Sequence, residues 1–216
     1  MSAVLFDMDG VLVDSEDYWT AFQRGEILPA AVPDESVDVA EVTGMNYRET
    51  YDYLEETYGT SISRDRFETL FEEAAREIYR EHVTPLAGLH DLLAELEARG
   101  VATAVVSSSP HEWIDIVLER FDLADGFDRV ISAEEIDGDG KPAPDVFEYA
   151  ASEVDASPEE CVVVEDSENG VEAASRAGTT VVAYRIDAHD GLDLSPADAV
   201  VDSPAELAEM VLEEVA

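Results

Sequence analysis

Asp7-Met8-Asp9-Gly10-Val11-Leu12-Val13-Asp14-Ser15, entered from the apolar run Val4-Leu5-Phe6, is the stretch whose reading decides how the remaining sequence is understood. A short hydrophobic run ending in a carboxylate reads as a buried strand that delivers Asp7 to its carboxyl end, the rim where open α/β sheets place their ligands. Asp9 reaches the same small volume from the turn that follows. Gly10 lets the backbone leave in a conformation that other residues resist. Taken alone, the stretch is equally well a strand ending in an Asp-Gly turn. Later segments separate the two readings.

After Ser15, which suits a helix N-cap, strand character disappears for about seventy residues. Tyr18, Trp19, Phe22, Ile27 and Leu28 mark one amphipathic helix, and Tyr47, Tyr51, Leu54 and Tyr58 mark a second. A third starts near Arg64 and carries Phe67, Leu70, Phe71, Ala74, Ala75 and Ile78 on one face. The expected division is a core of residues 1–14 and 85–216 with a helical insert, 15–84, whose aromatics form a small core of their own. Beyond Pro85 the pattern alternates. A helix through Leu89, Leu92, Leu93 and Leu96 closes at Gly100, and apolar runs follow at Val101 to Val106, Arg129 to Ile131, Cys161 to Val164, Thr180 to Ala183 and Ala199 to Val201, with helical segments between them. This predicts an α/β fold: a doubly wound, mostly parallel sheet, Rossmann-like, with an inserted α-helical domain.

Composition narrows the partners. The chain has 216 residues, 46% of them apolar, enough for a sizeable core, yet 52 acids face 12 bases and the formal net charge is −40. The acids are dispersed among apolar residues at helical and strand spacings, which favours a folded, highly charged surface over a disordered one. Such a surface repels phosphate backbones, so neither nucleic acid nor an anionic membrane is an expected partner. Self-repulsion would weaken the compact state in dilute salt, but at molar ionic strength the screening length falls to about 3 Å. The acid-rich usage is similar to that of proteins from halophilic archaea, and a cytoplasm rich in salt is the expected location. No basic leader followed by an apolar stretch begins the sequence, and no apolar run approaches the length of a membrane span. The single cysteine, Cys161, excludes an internal disulfide and a cysteine-based zinc site, and its apolar neighbours make it a buried structural thiol. The expected state is a monomer, with a dimer as the alternative.

The strand ends carry the chemistry. Asp7 and Asp9, Ser107, Lys141 on a loop, and Glu165 with Asp166 all converge on one rim. Clustered carboxylates call for a cation, and hard oxygens suit Mg²⁺. The remaining hydroxyl and ammonium groups are what an incoming phosphoryl group requires. Eleven of the twelve bases are Arg, so the lone Lys141 marks a position that needs a compact point charge rather than a planar fork. Ser107 by itself is equally well explained as a helix N-cap. Asp137-Gly138-Asp139-Gly140 has too few ligand positions for a calcium loop and reads as a turn. Ser109, His111 and Asp115 lack a nucleophile elbow and read as local helix capping, while His82, His90, His111 and His189 are scattered and read mostly as surface residues.

Four motifs carry a resemblance over the whole chain: Asp7-Met8-Asp9-Gly10-Val11-Leu12, Val105-Val106-Ser107-Ser108, Gly140-Lys141-Pro142-Ala143-Pro144-Asp145 and Val164-Glu165-Asp166-Ser167. Through them the sequence resembles the haloacid dehalogenase-like hydrolase superfamily, in the helical-cap branch that includes phosphoglycolate phosphatases and β-phosphoglucomutases. The resemblance implies that Asp7 attacks phosphorus to form an aspartyl-phosphate, and that Asp9 is acid toward the leaving oxygen and then base toward water. It implies that Ser107, with Ser108, and Lys141 hold the phosphoryl oxygens. It also implies that Asp7, the Asp9 carbonyl and Asp166 bind Mg²⁺, with Glu165 a ligand or a neighbour of one. From the cap, Trp19 and Arg48 are candidate substrate contacts, against the alternatives of cap core and surface ion pair. The insert has no Lys, which argues against the Schiff-base phosphonoacetaldehyde hydrolases of the family, and Asp9 argues against the dehalogenases. β-Phosphoglucomutases carry a cap histidine where Tyr18-Trp19 stands, and place an arginine nearer the glycine than Arg48 lies to Gly44. A phosphatase for a small phosphomonoester, phosphoglycolate or a sugar phosphate, is therefore the leading expectation, ahead of mutase-type phosphoryl transfer and of a non-catalytic phosphometabolite-binding module. The expected cap hinges lie near Asp14-Ser15 and Thr84-Pro85.

Overall fold

The computed structural model of the chain describes residues 2–42, 45–136, 138–186 and 191–216. Gly44, Asp137 and His189, used above in the Arg48 spacing, the acidic loop and the histidine survey, lie outside them. The chain divides into two units, Met1–Asp14 with Thr84–Ala216, and Ser15–Val83.

The second unit is helical. α1 (Glu16–Phe22) passes through a π-helical turn, Gln23–Ile27, into α2 (Leu28–Ala31). α3 (Tyr47–Thr57) starts at a capping box, in which Asn46 Oδ1 accepts from the Glu49 N–H at 3.0 Å and Glu49 Oε2 accepts from the Asn46 N–H at 3.1 Å. α4 (Arg64–Glu77) is capped by Ser63 and ends in a second π-helical turn, Ile78–His82. The apolar stripes of these helices meet in an aromatic core. The Phe67 and Phe71 rings lie 5.0 Å apart, with Trp19 and Tyr79 packed beside them and Leu54 fully buried. Each ring removes roughly 150–250 Å² from water, enough for this short unit to hold its helices together.

The first unit carries the sheet. Its strands are β1 (Ala3–Phe6), β2 (Ala102–Ser107), β3 (Arg129–Ser132), β4 (Cys161–Glu165), β5 (Thr180–Tyr184) and β6 (Ala199–Val201). They pair in the order β3-β2-β1-β4-β5-β6, every pairing parallel. Between them run α5 (Leu89–Arg99), α6 (His111–Arg120), α7 (Asp145–Glu153) and α8 (Glu168–Ala177), and α9 (Pro204–Glu214) closes the chain. Alternate strand residues face opposite ways. Leu5, Ala104, Val106 and Val163 share one core with Val146, Phe147 and Ala150 of α7 and Val171 and Ala174 of α8. The other face is covered by α5, α6 and α9, which pack on β2, β3 and β5. β1, β2 and β4 are buried along their whole length, as a sheet covered on both faces requires. The chain reverses its direction across the sheet at the β1/β4 pair, which opens a crevice at their carboxyl ends. Just beyond it, the Asp14 carboxylate accepts from the Thr84 N–H and hydroxyl, both at 2.6 Å, and Val13 bridges Pro85.

Candidate active site

Strand register builds the site. Phe6 is level with Val105 on β2 and Val164 on β4, so Asp7, Val106 and Glu165 occupy the next rung of three adjacent strands. The Asp7 N–H donates to the Val164 carbonyl at 3.0 Å, extending the ladder by one residue. Period-two alternation turns Asp7 and Glu165 toward the face that α7 and α8 cover. Lys141 arrives on that face from the loop before α7, its Nζ 5.2 Å from the centroid of the Phe147 ring. That ammonium donates to Asp7 Oδ1 and Glu165 Oε1, both at 2.6 Å, and to the Val106 carbonyl at 3.4 Å.

Glu165 is held from behind by the turn that follows its strand. Glu165 is fully buried, and its Oε2 accepts from the Asp166 N–H at 3.1 Å, the Ser167 N–H at 3.3 Å and the Ser167 hydroxyl at 3.1 Å. A β-carbon at Gly170 would come within 2.0 Å of the Glu165 carboxyl group, so a larger residue there would displace that carboxylate. Gly10 has φ +75°, and a β-carbon on it would lie 1.9 Å from Asp166 Oδ2. The glycine of the first motif thus serves both the left-handed turn and the close approach of Asp166, which is 2% exposed.

Ser107 ends β2, buried, and its Oγ accepts from the Ser109 N–H at 3.1 Å. Ser108 beside it is half-buried. Asp9, also half-buried, accepts at Oδ2 from the Ser109 hydroxyl at 3.0 Å. This corrects the reading of Ser109 and His111 as local caps: the serine bonds to Asp9, and His111 Nε2 meets the Glu135 carboxylate. Ser109 is the site residue that sequence reasoning missed. Its position two residues after Ser107, at the mouth of a buried strand, was the available signal.

Trp19 and Arg48 belong to the helical unit. Trp19 is 8% exposed, lies 5.7 Å from the Phe71 ring and donates from Nε1 to the Tyr79 hydroxyl at 3.1 Å, so it is part of that unit's core. Arg48 is half exposed, its guanidinium 4.7 Å from the Tyr47 ring centroid and 4.0 Å from Glu68. Cys161 is buried, donates to the Ser157 carbonyl at 3.4 Å and has its thiol pushed up to about 11 by burial.

Electrostatics complete the picture. Burial pushes the Asp7 carboxyl well above the usual carboxylate range; Lys141 pulls it down, while Glu165, Asp166 and Asp9 add to the rise. For Lys141, burial works against the charge, but Asp7 and Glu165 outweigh it and hold the ammonium above its ordinary pKa. One oxygen from each of Asp7, Glu165 and Asp166 lies within 4.8 Å of the others, and all three acids are buried. Three carboxylates against one ammonium leave an excess of negative charge on hard oxygen donors. That donor set fits a hard divalent cation such as Mg²⁺.

A parallel sheet with this order, a helical insert and an acid cluster at the switch point define a hydrolase class. The family model for haloacid dehalogenase-like hydrolases matches residues 4–184, and the chain belongs to that family. Among its relatives, the phosphorylated carbohydrates phosphatase of Thermotoga maritima is 30% identical over 179 residues, 82% of each chain. The β-phosphoglucomutase of Bacillus subtilis is 28% identical over 228 residues, 99% of this chain and 95% of that one. The solved structure of β-phosphoglucomutase from Clostridium difficile shares the fold, with a TM-score of 0.80 at 24% identity over 100% of this chain and 97% of that one.

Proposed function

We propose that this hydrolase is a Mg²⁺-dependent phosphatase that cleaves a small phosphomonoester, a sugar phosphate or phosphoglycolate, through an aspartyl-phosphate on Asp7. The observation that carries the reading is the buried bridge from Lys141 to Asp7 and Glu165, which puts a point charge beside a carboxylate at the mouth of the sheet. In the first step an Asp7 carboxylate oxygen bonds to phosphorus, the bond from phosphorus to the leaving oxygen breaks, and Asp9 gives that oxygen a proton. In the second, water attacks the phosphorus, Asp9 takes the water's proton, and phosphate leaves with the Asp7 carboxylate restored. Ser107, Ser108 and Lys141 hold the non-bridging oxygens and neutralise their charge. Asp7, Asp166 and the Asp9 carbonyl would hold Mg²⁺, with Glu165 a further ligand or a neighbour of one: its Oε1 takes the Lys141 ammonium and its Oε2 is committed to three donors. When bound, the ion supplies positive charge beside the transferring group.

The relatives that act on phosphorylated carbohydrates support the substrate class. Those named β-phosphoglucomutase favour a second reading, in which a phosphoryl group returns to a sugar. Against it, Tyr18-Trp19 stands in the cap where the mutases carry a histidine, and the Trp19 ring is packed against Phe71 with its N–H already used. The excess of 52 acids over 12 bases supports a high-salt working medium. The test is phosphate release from 4-nitrophenyl phosphate and a panel of sugar phosphates in molar KCl, with and without Mg²⁺. Mg²⁺-dependent release is expected. A folded protein inactive on the entire panel would be a binding module instead. With β-glucose 1-phosphate and its bisphosphate, free phosphate identifies the phosphatase and glucose 6-phosphate the mutase.

A further inference from the structure

We propose that Ser109 is a positioning residue for Asp9, and that its hydroxyl decides which carboxylate oxygen carries the transferred proton. The proposal rests on the phosphatase reading above, in which Asp9 is the acid and then the base. Three serines that precede helices behave differently. Ser63, Ser167 and Ser203 each accept from a backbone N–H in the first turn of the helix they precede. Ser109 caps nothing: α6 starts behind Pro110 with no side-chain cap. Its hydroxyl instead donates to Asp9 Oδ2 at 3.0 Å, across a separation of 100 residues.

Ser109 is itself fixed at both backbone groups. Its N–H donates to Ser107 Oγ at 3.1 Å, and its carbonyl accepts from the Ser132 hydroxyl at 2.8 Å. Ser132 is fully buried on β3 and level with Ser107 in the sheet register. Its own N–H donates to Glu135 Oε1 at 2.9 Å, and its Oγ accepts from the Glu134 N–H at 3.2 Å. Two adjacent strands therefore grip the residue, and Ser109 is 9% exposed. So rigid a donor restricts the rotation of the carboxylate it reaches.

The chemical consequence concerns the proton. A hydrogen bond donated to Oδ2 lowers the basicity of that oxygen relative to Oδ1, which biases the acid proton of Asp9 toward Oδ1. As the phosphorus–oxygen bond breaks, that proton passes from Oδ1 to the leaving oxygen. As water bonds to phosphorus, its proton returns to Oδ1. The Ser109–Oδ2 hydrogen bond persists through both steps, and the carboxylate turns over without rotating.

The test compares kcat/KM for 4-nitrophenyl phosphate and phenyl phosphate, whose leaving oxygens differ in their need for a proton, in Mg²⁺ and molar KCl. For Ser109→Ala, the loss on phenyl phosphate is expected to exceed the loss on 4-nitrophenyl phosphate about tenfold, as expected for weakened acid assistance. Ser109→Thr, which keeps the hydroxyl, restores the wild-type ratio, and Ser109→Cys, a weak donor, falls between. Equal losses on both substrates, or a threonine variant no better than alanine, overturn the proposal. Should Ser109→Ala fail to fold by circular dichroism, the cysteine and threonine variants decide the same way: a wild-type ratio with cysteine rejects it. Asp9→Asn separates the two claims. If that variant keeps the wild-type ratio and rate, or if the wild type releases no phosphate, the phosphatase reading itself has failed.

Discussion

Lys141 and Arg185 make ion pairs of similar length in opposite surroundings. Lys141 meets Asp7 and Glu165 at 2.6 Å with side chains 7%, 10% and 0% exposed, whereas Arg185 meets Asp202 at 2.9 Å with side chains 50% and 64% exposed. Out in solvent, an ammonium or guanidinium exchanges one set of water contacts for one carboxylate and gains little. Inside the sheet's mouth the side chains are withdrawn from solvent, so the same attraction fixes a geometry and leaves a large penalty if either partner is lost. The difference explains a compositional oddity. Arg serves every solvated position in this acidic chain, while the buried centre uses the single compact cation, which touches two carboxylates and the Val106 carbonyl from one atom.

The largest effect should come from the acid that the ammonium holds. Asp7→Asn is expected to reduce turnover below about one part in 10³ while the far-ultraviolet spectrum stays native, because the amide is no nucleophile. A rate well above that level would remove Asp7 from the chemistry and reduce the buried pair to a structural one. Next comes Lys141→Ala, expected to cost about 3–5 kcal/mol in urea unfolding without Mg²⁺, since it strands two buried carboxylates. A loss of under about 1 kcal/mol would place Lys141 with the surface pairs and erase the contrast.

Salt sharpens the comparison further. Raising KCl from about 0.1 M to 1 M shortens the screening length from about 10 Å to 3 Å, and the melting temperature should rise as the acidic shell stops repelling itself. The unfolding penalty of Lys141→Ala should be the same at both salt concentrations, because buried pairs are screened little. A melting temperature that falls with KCl would contradict the account of the shell. Smallest of all, Arg185→Ala should change unfolding free energy by less than about 1 kcal/mol and leave kcat/KM unchanged. A larger loss would show that the surface pairs contribute more than solvent allows.

Much of this architecture was legible in the residues because its causes are local. The apolar runs ending in Phe6, Val106 and Val164 are buried strands, and Gly100 closes α5 with φ +71° at its C-cap. Less legible were the π-helical turns at Gln23–Ile27 and Ile78–His82, since apolar residues on either side continue a helical spacing through the extra residue. The choice between cap contact and cap core for Trp19 also needed the fold, for only its burial against Phe71 and its bond to Tyr79 separate the two. Gly10 was half understood: its turn follows from sequence, but not the Asp166 carboxylate pressed against its α-carbon.

By itself, the sequence determined the alternation of strand and helix, the helical insert, and which strand ends carry acids, a serine and the lone lysine, because hydrophobic period and turn chemistry act over a few residues. Tertiary structure alone decided that Asp7 and Glu165 share a rung, that one ammonium joins them, and that Ser109 reaches back to Asp9 rather than capping its own helix. Those pairings depend on strand register and on which face each side chain takes, and residues a hundred positions apart acquire them only when the sheet is assembled.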